Sequence, residues 1–374
     1  MPTWPIRFNL NIDHSNIELL ECAARIQATA RVIREIPIPP ATQKRIDHLN
    51  ILRAIRGTTA IEGNTLDEEA IDKLIKNPAT ASPEKLDKDG LEVVNAAKAM
   101  GYITQTLNKF PDRPLTQDVI REIHQITTCH IPYPHNIPGH YRTHPVNAGL
   151  YIPPRTGEEV RNLMAEFERW LTQTAQTNPV IRAISAHFYF ISIHPFGDGN
   201  GRTARAIESY LLYQGRINAR GFYSLANFYY KNREEYVVQL DRVRFQSNGD
   251  LTEFILFAMR GLDSELNQLH EEVLGEARRT AFRDYAREFF QGNEKLRSKN
   301  GARMISLLVD LTRVPNGISI SDLLARKDPS SGLYAQATNK TITRDINYLQ
   351  KEGLVIVKDG RLQARLELMT KYTA

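Results

Sequence analysis

The stretch His194-Pro195-Phe196-Gly197-Asp198-Gly199-Asn200-Gly201-Arg202-Thr203-Ala204-Arg205 decides how the rest of the chain is read. An apolar segment, Val180 to Ile193, leads into it, and a periodic segment, Arg202 to Gln214, leaves it with Gly215 as a C-terminal cap. Both segments read as helices. The glycines between them therefore form a loop at a helix N-terminus, where free N–H groups and the helix dipole favour phosphate. Gly197, Gly199 and Gly201 permit backbone conformations and close approaches that a side chain would block. Asp198 is a hard oxygen ligand, suited to Mg²⁺ bridging phosphates. Arg202 and Arg205 lie three apart on one helix face, and each offers a planar fork to phosphate oxygens. His194 heads the loop, where it can take a proton from a hydroxyl. Alone, a Gly-x-Gly is a turn and a histidine a core residue. Joined as HxFxDGNGRxxR, they point to phosphate handling.

The motif HPFGDGNGRTAR resembles the active-site motif of Fic-domain proteins, which transfer a nucleotide monophosphate, most often AMP, to a protein hydroxyl. The resemblance implies a role for each residue. His194 is the general base for a Tyr, Ser or Thr hydroxyl, and Phe196 anchors the loop. Asp198 holds Mg²⁺. The Gly199-Asn200-Gly201 backbone and the Asn200 side chain cradle the α- and β-phosphates. Arg202 grips the β-phosphate and Arg205 the γ-phosphate. The intact GNGR favours ATP or another nucleoside triphosphate as donor over the family's phosphotransferase chemistry.

A second signal lies upstream. Asn16 to Ile36 and Thr42 to Ile61 read as helices, separated by Pro37, Pro39 and Pro40. Thr58-Thr59-Ala60-Ile61-Glu62-Gly63 follows, with Gly63 and Asn64 as a helix stop and Thr65 with Glu68 as a capping box. Read locally, Glu62 is a solvated last-turn residue. The stretch also resembles (S/T)xxxE(G/N), the inhibitory motif of many Fic proteins. A Glu62–Arg205 ion pair then withdraws the arginine from the γ-phosphate. The same glutamate could instead align water for removal of AMP, and the sequence leaves the two roles open.

Leu91 to Leu107, Thr116 to Thr128 and Val160 to Thr174 read as helices. Gly139-His140-Tyr141-Arg142 resembles the family's GxYR segment, and His144 to Pro154 reads as a short flap for a target backbone. His187 reads as a core histidine. Tyr230, Asn232 and Tyr236 correspond to the family's adenine-pocket stretch, with Tyr229 as the alternative to Tyr230.

The C-terminal third changes character. Leu251 to Phe290 reads as a connecting helix or helix pair, with breaks at Gln291-Gly292-Asn293 and Ser298 to Gly301. Arg303 to Arg313, Ser319 to Arg326 and Thr338 to Lys351 read as short helices. Leu354 to Val357 and Arg361 to Leu368 flank Asp359-Gly360 as a β-hairpin. Three helices and a basic hairpin resemble a winged helix-turn-helix, with Asn339, Lys340, Thr343, Arg344 and Asn347 facing outward. DNA is one candidate partner and protein docking or dimerisation the other.

Composition limits the alternatives. The 374 residues predict two or three domains, and 41% apolar with 24% charged residues is a soluble globular balance. No apolar run approaches the ~20 residues that span a bilayer, and Met1 to Leu10 does not read as a secretory signal. Cys22 and Cys129 match no metal-ligand spacing, which with the missing leader predicts a cytoplasmic protein. The net charge of +5 is mild. The expectation is a mainly α protein: an N-terminal helical region with the inhibitory motif (1–90), a Fic-type helical core with a small hairpin flap (91–245), a helical linker (246–300) and a winged-helix-like domain (301–374). It is expected to be a protein adenylyltransferase using ATP and Mg²⁺ on a target hydroxyl, or on a second copy in a homo-oligomer. The alternatives are an enzyme that removes AMP and a DNA-binding regulator with a nucleotide-sensing Fic domain.

Overall fold

The structure, a computed structural model, describes residues 4–76, 83–218, 225–292, 299–314 and 316–370. Its helices are α1 (Ile17–Glu35), α2 (Pro40–Ala60), α3 (Glu68–Lys76), α4 (Lys88–Lys109), α5 (Gln117–Thr128), α6 (Gly157–Gln173), α7 (Pro179–Ile193), α8 (Asn200–Gln214), α9 (Ala226–Lys231), α10 (Arg233–Phe245), α11 (Thr252–Gln291), α12 (Lys299–Leu311), α13 (Ile320–Leu324) and α14 (Asn339–Lys351). Strands β1 (Ile318–Ser319), β2 (Val355–Lys358) and β3 (Arg361–Ala364) complete it. The mainly helical expectation holds. The chain divides into one unit of Met1–Glu35 with Pro40–His270 and another of Ile36–Pro39 with Glu271–Ala374.

The first unit is built around α7. Every residue of α7 from Ala183 to Ile193 is buried, including Phe188, Tyr189 and Phe190, so this helix is apolar on all sides and forms the core. Asn178 caps it through Oδ1 and Pro179 opens it. Helix α8 packs along α7, and α2, α4 and α5 lie against α8. Helix α2 also runs against α9 at very close range. A Cβ on Gly57 would strike the backbone of Ala226 and Asn227, so only glycine admits this approach.

Several boundaries are set by caps. Thr116 accepts from the Val119 N–H at the head of α5, and Thr156 and Glu159 form a capping box at α6. The box expected from Thr65 and Glu68 is absent. Asp67 Oδ1 accepts from the Ala70 N–H at the head of α3, while Thr65 donates its N–H and hydroxyl to Asp89 and Glu68 pairs with Arg56. A long-range acceptor outcompeted the local one. Helix α8 starts at Asn200, two residues before the periodic pattern begins, because Gly199 at φ 73° supplies the N-cap geometry.

The second unit holds a core of Phe282, Phe290, Leu307, Leu308, Ile342, Leu349 and Leu362. Its order is helix, strand, two helices, two strands, and the antiparallel sheet runs β1-β3-β2. Val357 and Ile318 both register with Leu362. The hairpin turn Asp359-Gly360 has φ 49° and 70°, as a tight primed turn requires. Thr338 caps α14, and Asn339, Lys340, Thr343, Arg344 and Asn347 are exposed as expected. Of the two alternatives for Leu251 to Phe290, the single helix holds, as the 40-residue α11 Thr252–Gln291. Two readings change. Lys299 to Gly301, read as a break, opens α12. Ile318 and Ser319 pair with β3 before Ser319 caps α13, so this helix is shorter than read.

Candidate active site

The loop between α7 and α8 is held by residues that hardly touch solvent. Helix α7 ends on His194, which turns left-handed at φ 51° while its N–H donates to the Phe190 carbonyl. Phe196 is fully buried and lies flat on the His124 ring, with centroids 3.5 Å apart and planes 2° from parallel. His124 accepts from the Gly139 N–H at Nδ1, so its proton sits on Nε2, 2.9 Å from the Asp198 carbonyl. Burial keeps that ring neutral, with its pKa pushed down to about 3. Arg142 binds the other end of the loop. Its N–H donates to the Pro195 carbonyl, and its guanidinium to the carbonyls of His194 (2.7 Å), His144 (2.8 Å) and Pro154 (2.7 Å). One buried side chain thus ties the loop to both ends of the 144–154 segment. That segment folds back at Ala148 and Tyr151, leaving Leu150 exposed and Tyr151 buried against Arg244.

His194 is oriented by its own helix. Nδ1 lies 3.2 Å from the Ile191 carbonyl, which can only accept, so the proton is on Nδ1 and Nε2 keeps its lone pair. Burial, with Arg142 and Arg244 adding to it, pushes its pKa down to about 4. The imidazole is therefore a neutral acceptor throughout the physiological range.

Three glycines do different work. A Cβ on Gly197 would strike the His135 carbonyl, one on Gly199 the Thr128 methyl, and one on Gly201 the Glu62 carboxylate. The Glu62 carboxylate thus lies over the first turn of α8, and the N-cap Gly199 offers that turn no side-chain hydrogen bond. Asn200 departs from its expected role. Its Oδ1 accepts from the Phe196 N–H and its Nδ2 donates to the Phe196 carbonyl, both at 2.9 Å. The amide is spent on closing the loop, so any cradle at this position is made by backbone alone.

The two arginines have distinct surroundings. Arg205 donates through Nε to Thr58 Oγ1 (2.9 Å) and through Nη2 to the Thr58 carbonyl (2.9 Å) and Glu62 Oε1 (2.7 Å). Burial works against the charge on Glu62, yet Arg205 and Arg202 together hold its carboxyl below the usual range. Arg202 lies over the Tyr133 ring at 5.1 Å, 3.1 Å from Glu92 and 3.3 Å from Asp198. Its Nε and Nη1 are buried without a hydrogen-bond partner. Asp198 stays half-exposed, and its Oδ1 also accepts from the Gly199 N–H.

The structure therefore brings Glu62, His194, Gly197, Asp198, Gly199, Asn200, Gly201, Arg202 and Arg205 into one place. Tyr230 and Asn232 stand apart. Tyr230 is half-buried, Asn232 is exposed with its amide turned onto the Phe228 carbonyl, and neither bonds to the loop among the described residues. Tyr229 is the buried one, donating to Glu208, which sits 2.7 Å from the core residue His187. His124, Glu92 and Tyr133 carry no local pattern that would have found them. Arg142 stands in the GxYR segment, but its grip on four carbonyls is visible only in three dimensions. Among the described residues no three His, Cys, Asp or Glu side chains cluster as metal ligands. A single carboxylate suits an ion whose other ligands are phosphate and water, and Asp198 fits that demand.

With this geometry in view, the comparisons are specific. Residues 114–212 match the Fic/DOC family, so this part of the chain is a Fic domain. Protein adenylyltransferase Fic of Culex quinquefasciatus is 30% identical over 216 residues, 57% of this chain and 40% of that protein. The protein of the same name from Drosophila melanogaster is 32% identical over 157 residues, 41% of this chain and 31% of its own length. The chain thus spans well under half of these curated relatives. Among solved structures, Fic-1 (residues 134–508) of C. elegans superposes with a TM-score of 0.56 at 22% identity, covering 67% of this chain and 71% of that one. A Fic family protein from Desulfovibrio desulfuricans covers 97% of this chain and 98% of its own, with a TM-score of 0.53 at 18% identity. These structures share the fold.

Proposed function

We propose that this protein is an adenylyltransferase that moves AMP from ATP to a Tyr, Ser or Thr hydroxyl of a protein, and that Glu62 restrains it. The observation that carries the reading is the Glu62 carboxylate lying over Gly201 and bonded to Arg205 at 2.7 Å, an acid occupying the anion-favouring head of α8. The names of the curated relatives support the same chemistry.

The residues divide the work. The α8 N-terminus and the backbone of Gly199 to Gly201 receive phosphate oxygens, and the Arg202 guanidinium, whose Nε has no acceptor, adds a charge-assisted bond to the β-phosphate. Arg205, once free of Thr58 and Glu62, holds the γ-phosphate. His194 Nε2 takes the proton from the attacking hydroxyl as oxygen bonds to the α-phosphorus and pyrophosphate leaves. Mg²⁺ held at Asp198 would offset charge on the departing phosphates. The 144–154 segment, fixed by Arg142, offers its backbone to a target strand. Catalysis is chiefly positioning and charge stabilisation. Tyr230 and Asn232 belong to the adenine side of this proposal. A cytoplasmic setting belongs to the same proposal, and the free Cys22 and Cys129 fit a reducing compartment.

The test is intact mass after incubation with each nucleoside triphosphate and Mg²⁺, for the wild type and Glu62→Gly, with and without a lysate of candidate targets. Label transfer from ATP that rises in Glu62→Gly supports the proposal. No transfer from any donor in either form refutes it, and loss of AMP from a modified target assigns the reverse reaction instead.

A second activity is proposed for the 301–374 region. Its strand and helix order supports a winged-helix reading, and the exposed Asn339, Lys340, Thr343, Arg344 and Asn347 on α14 form a polar, basic face fit for a DNA groove.

A further inference from the structure

The side chain of Glu92, on α4, is 2% exposed, yet it lies 110 positions from Arg202 and carries no motif. Buried carboxylates need partners. Glu92 has three of consequence. Oε1 accepts from the Tyr133 hydroxyl at 2.5 Å and lies 3.1 Å from Arg202 Nη1, while Oε2 accepts from Asn64 Nδ2 at 3.0 Å. The approach to Arg202 is an ion pair through Nη1, and Nε of the same guanidinium is left without an acceptor. Asn64 in turn follows the Glu62-Gly63 turn, and its N–H donates to the Thr59 carbonyl.

We propose that Glu92 is a positioning residue for phosphate binding: it holds the buried Arg202 guanidinium inward through Nη1 as a counter-charge while leaving the Nε donor free for the β-phosphate. This rests on the reading of the site as a nucleotide site. A carboxylate that both neutralised and saturated Arg202 would leave no donors to spend. In a Glu62→Gly host with no carboxylate on that side, the buried guanidinium is drawn to its remaining acid, Asp198, which is 44% exposed, and so away from the inward position that points Nε at the β-phosphate. The Tyr133 ring cannot prevent this, because it stacks on the guanidinium without fixing its direction in the plane.

The experiment measures ADP and AMP affinities by calorimetry in Mg²⁺ buffer, in a Glu62→Gly host and in the same host carrying Glu92→Gln. AMP lacks the phosphate that Arg202 would hold. The expected result is about a tenfold or greater loss of ADP affinity with AMP affinity unchanged, the cost of one misdirected charge-assisted contact. Tyr133→Phe, which removes one support of Glu92 at a half-buried position, should shift ADP in the same direction by less, and it stands in should Glu92→Gln fail to fold. Equal losses for ADP and AMP would make Glu92 merely structural, and unchanged or tighter ADP binding would make it an opposing charge. Either overturns the inference. A host that binds ADP no better than AMP overturns instead the placement of the β-phosphate at Arg202.

Discussion

Arg205 Nη2 stands 2.7 Å from Glu62 Oε1, and Thr58 binds the same guanidinium through its hydroxyl and carbonyl. The arginine is thus gripped by both ends of one helical turn. In the proposed function these donors are the ones that would hold the γ-phosphate. Replacing Glu62 by Gly removes one of the two acceptors on Nη2 and takes the carboxylate from the head of α8. AMP transfer should rise by on the order of tenfold or more at saturating ATP and Mg²⁺. Equal rates for wild type and variant would show that Glu62 is no brake.

The same pair has a pH signature. Arg205 and Arg202 hold the Glu62 carboxyl below its usual range against the effect of burial. A depressed carboxyl pKa stabilises the fold above the unfolded value near 4.5 and loses that contribution as pH falls through the folded value. Denaturant unfolding of wild type and Glu62→Gln should therefore differ at pH 7 and converge toward pH 3. A gap that persists at low pH would mean the pair is not an ionic latch.

His194 is neutral far below the usual histidine range, at about 4. A base of this kind loses activity only as it is protonated, so in the Glu62→Gly protein the rate should stay level from pH 8 to about 5. It should fall only below about 4, because the variant lacks the Glu62 charge that raises the imidazole. A fall-off centred near 6.5 would place the free base elsewhere. His194→Ala should abolish transfer while the thermal midpoint stays close to that of the parent.

His124 carries the loop without touching substrate. Its folded pKa is lowered to about 3, so the folded state binds fewer protons than the unfolded chain between about 6.5 and 3. Stability should fall as pH drops through that window. In His124→Phe this slope should be shallower. The variant should also lose about 1–3 kcal/mol at pH 7, because the Gly139 N–H and the Asp198 carbonyl lose their partner.

Lys340 and Arg344 stand exposed on α14. If this helix meets DNA, Lys340→Glu with Arg344→Glu should weaken retardation of duplex DNA by roughly tenfold or more at low salt and flatten its salt dependence. An unchanged shift would assign the face to protein contacts.

Much of the site was legible before any coordinates. The loop motif is contiguous, so spacing alone could group His194, Asp198, Arg202 and Arg205, and Glu62 sits in a six-residue pattern. The supports were not legible. Glu92 and His124 act on residues about 110 and 70 positions away, and nothing local distinguishes a buried glutamate in α4 from a surface one. Local rules also misled where distant partners intervened. Thr65 looks like a cap but serves Asp89, and Asn200 looks like a phosphate ligand but spends its amide on Phe196. The C-terminal strand Ile318–Ser319 was invisible because two residues carry no alternation, and only its partner β3 makes it a strand.

Gly57 bears on how the enzyme would be switched on. With no room for even one carbon between α2 and the backbone of Ala226 and Asn227, the helix that leads to Glu62 is seated tightly on its neighbour. On the proposed reading, the least disruptive activating change lies after that crossing, in the Glu62 side chain or the turn at Gly63, whose φ of 95° already lies outside the helical region. Activation then becomes a matter of a few torsions rather than of moving a helix, and effectors that seek to pry α2 loose would be aiming at its most firmly seated part.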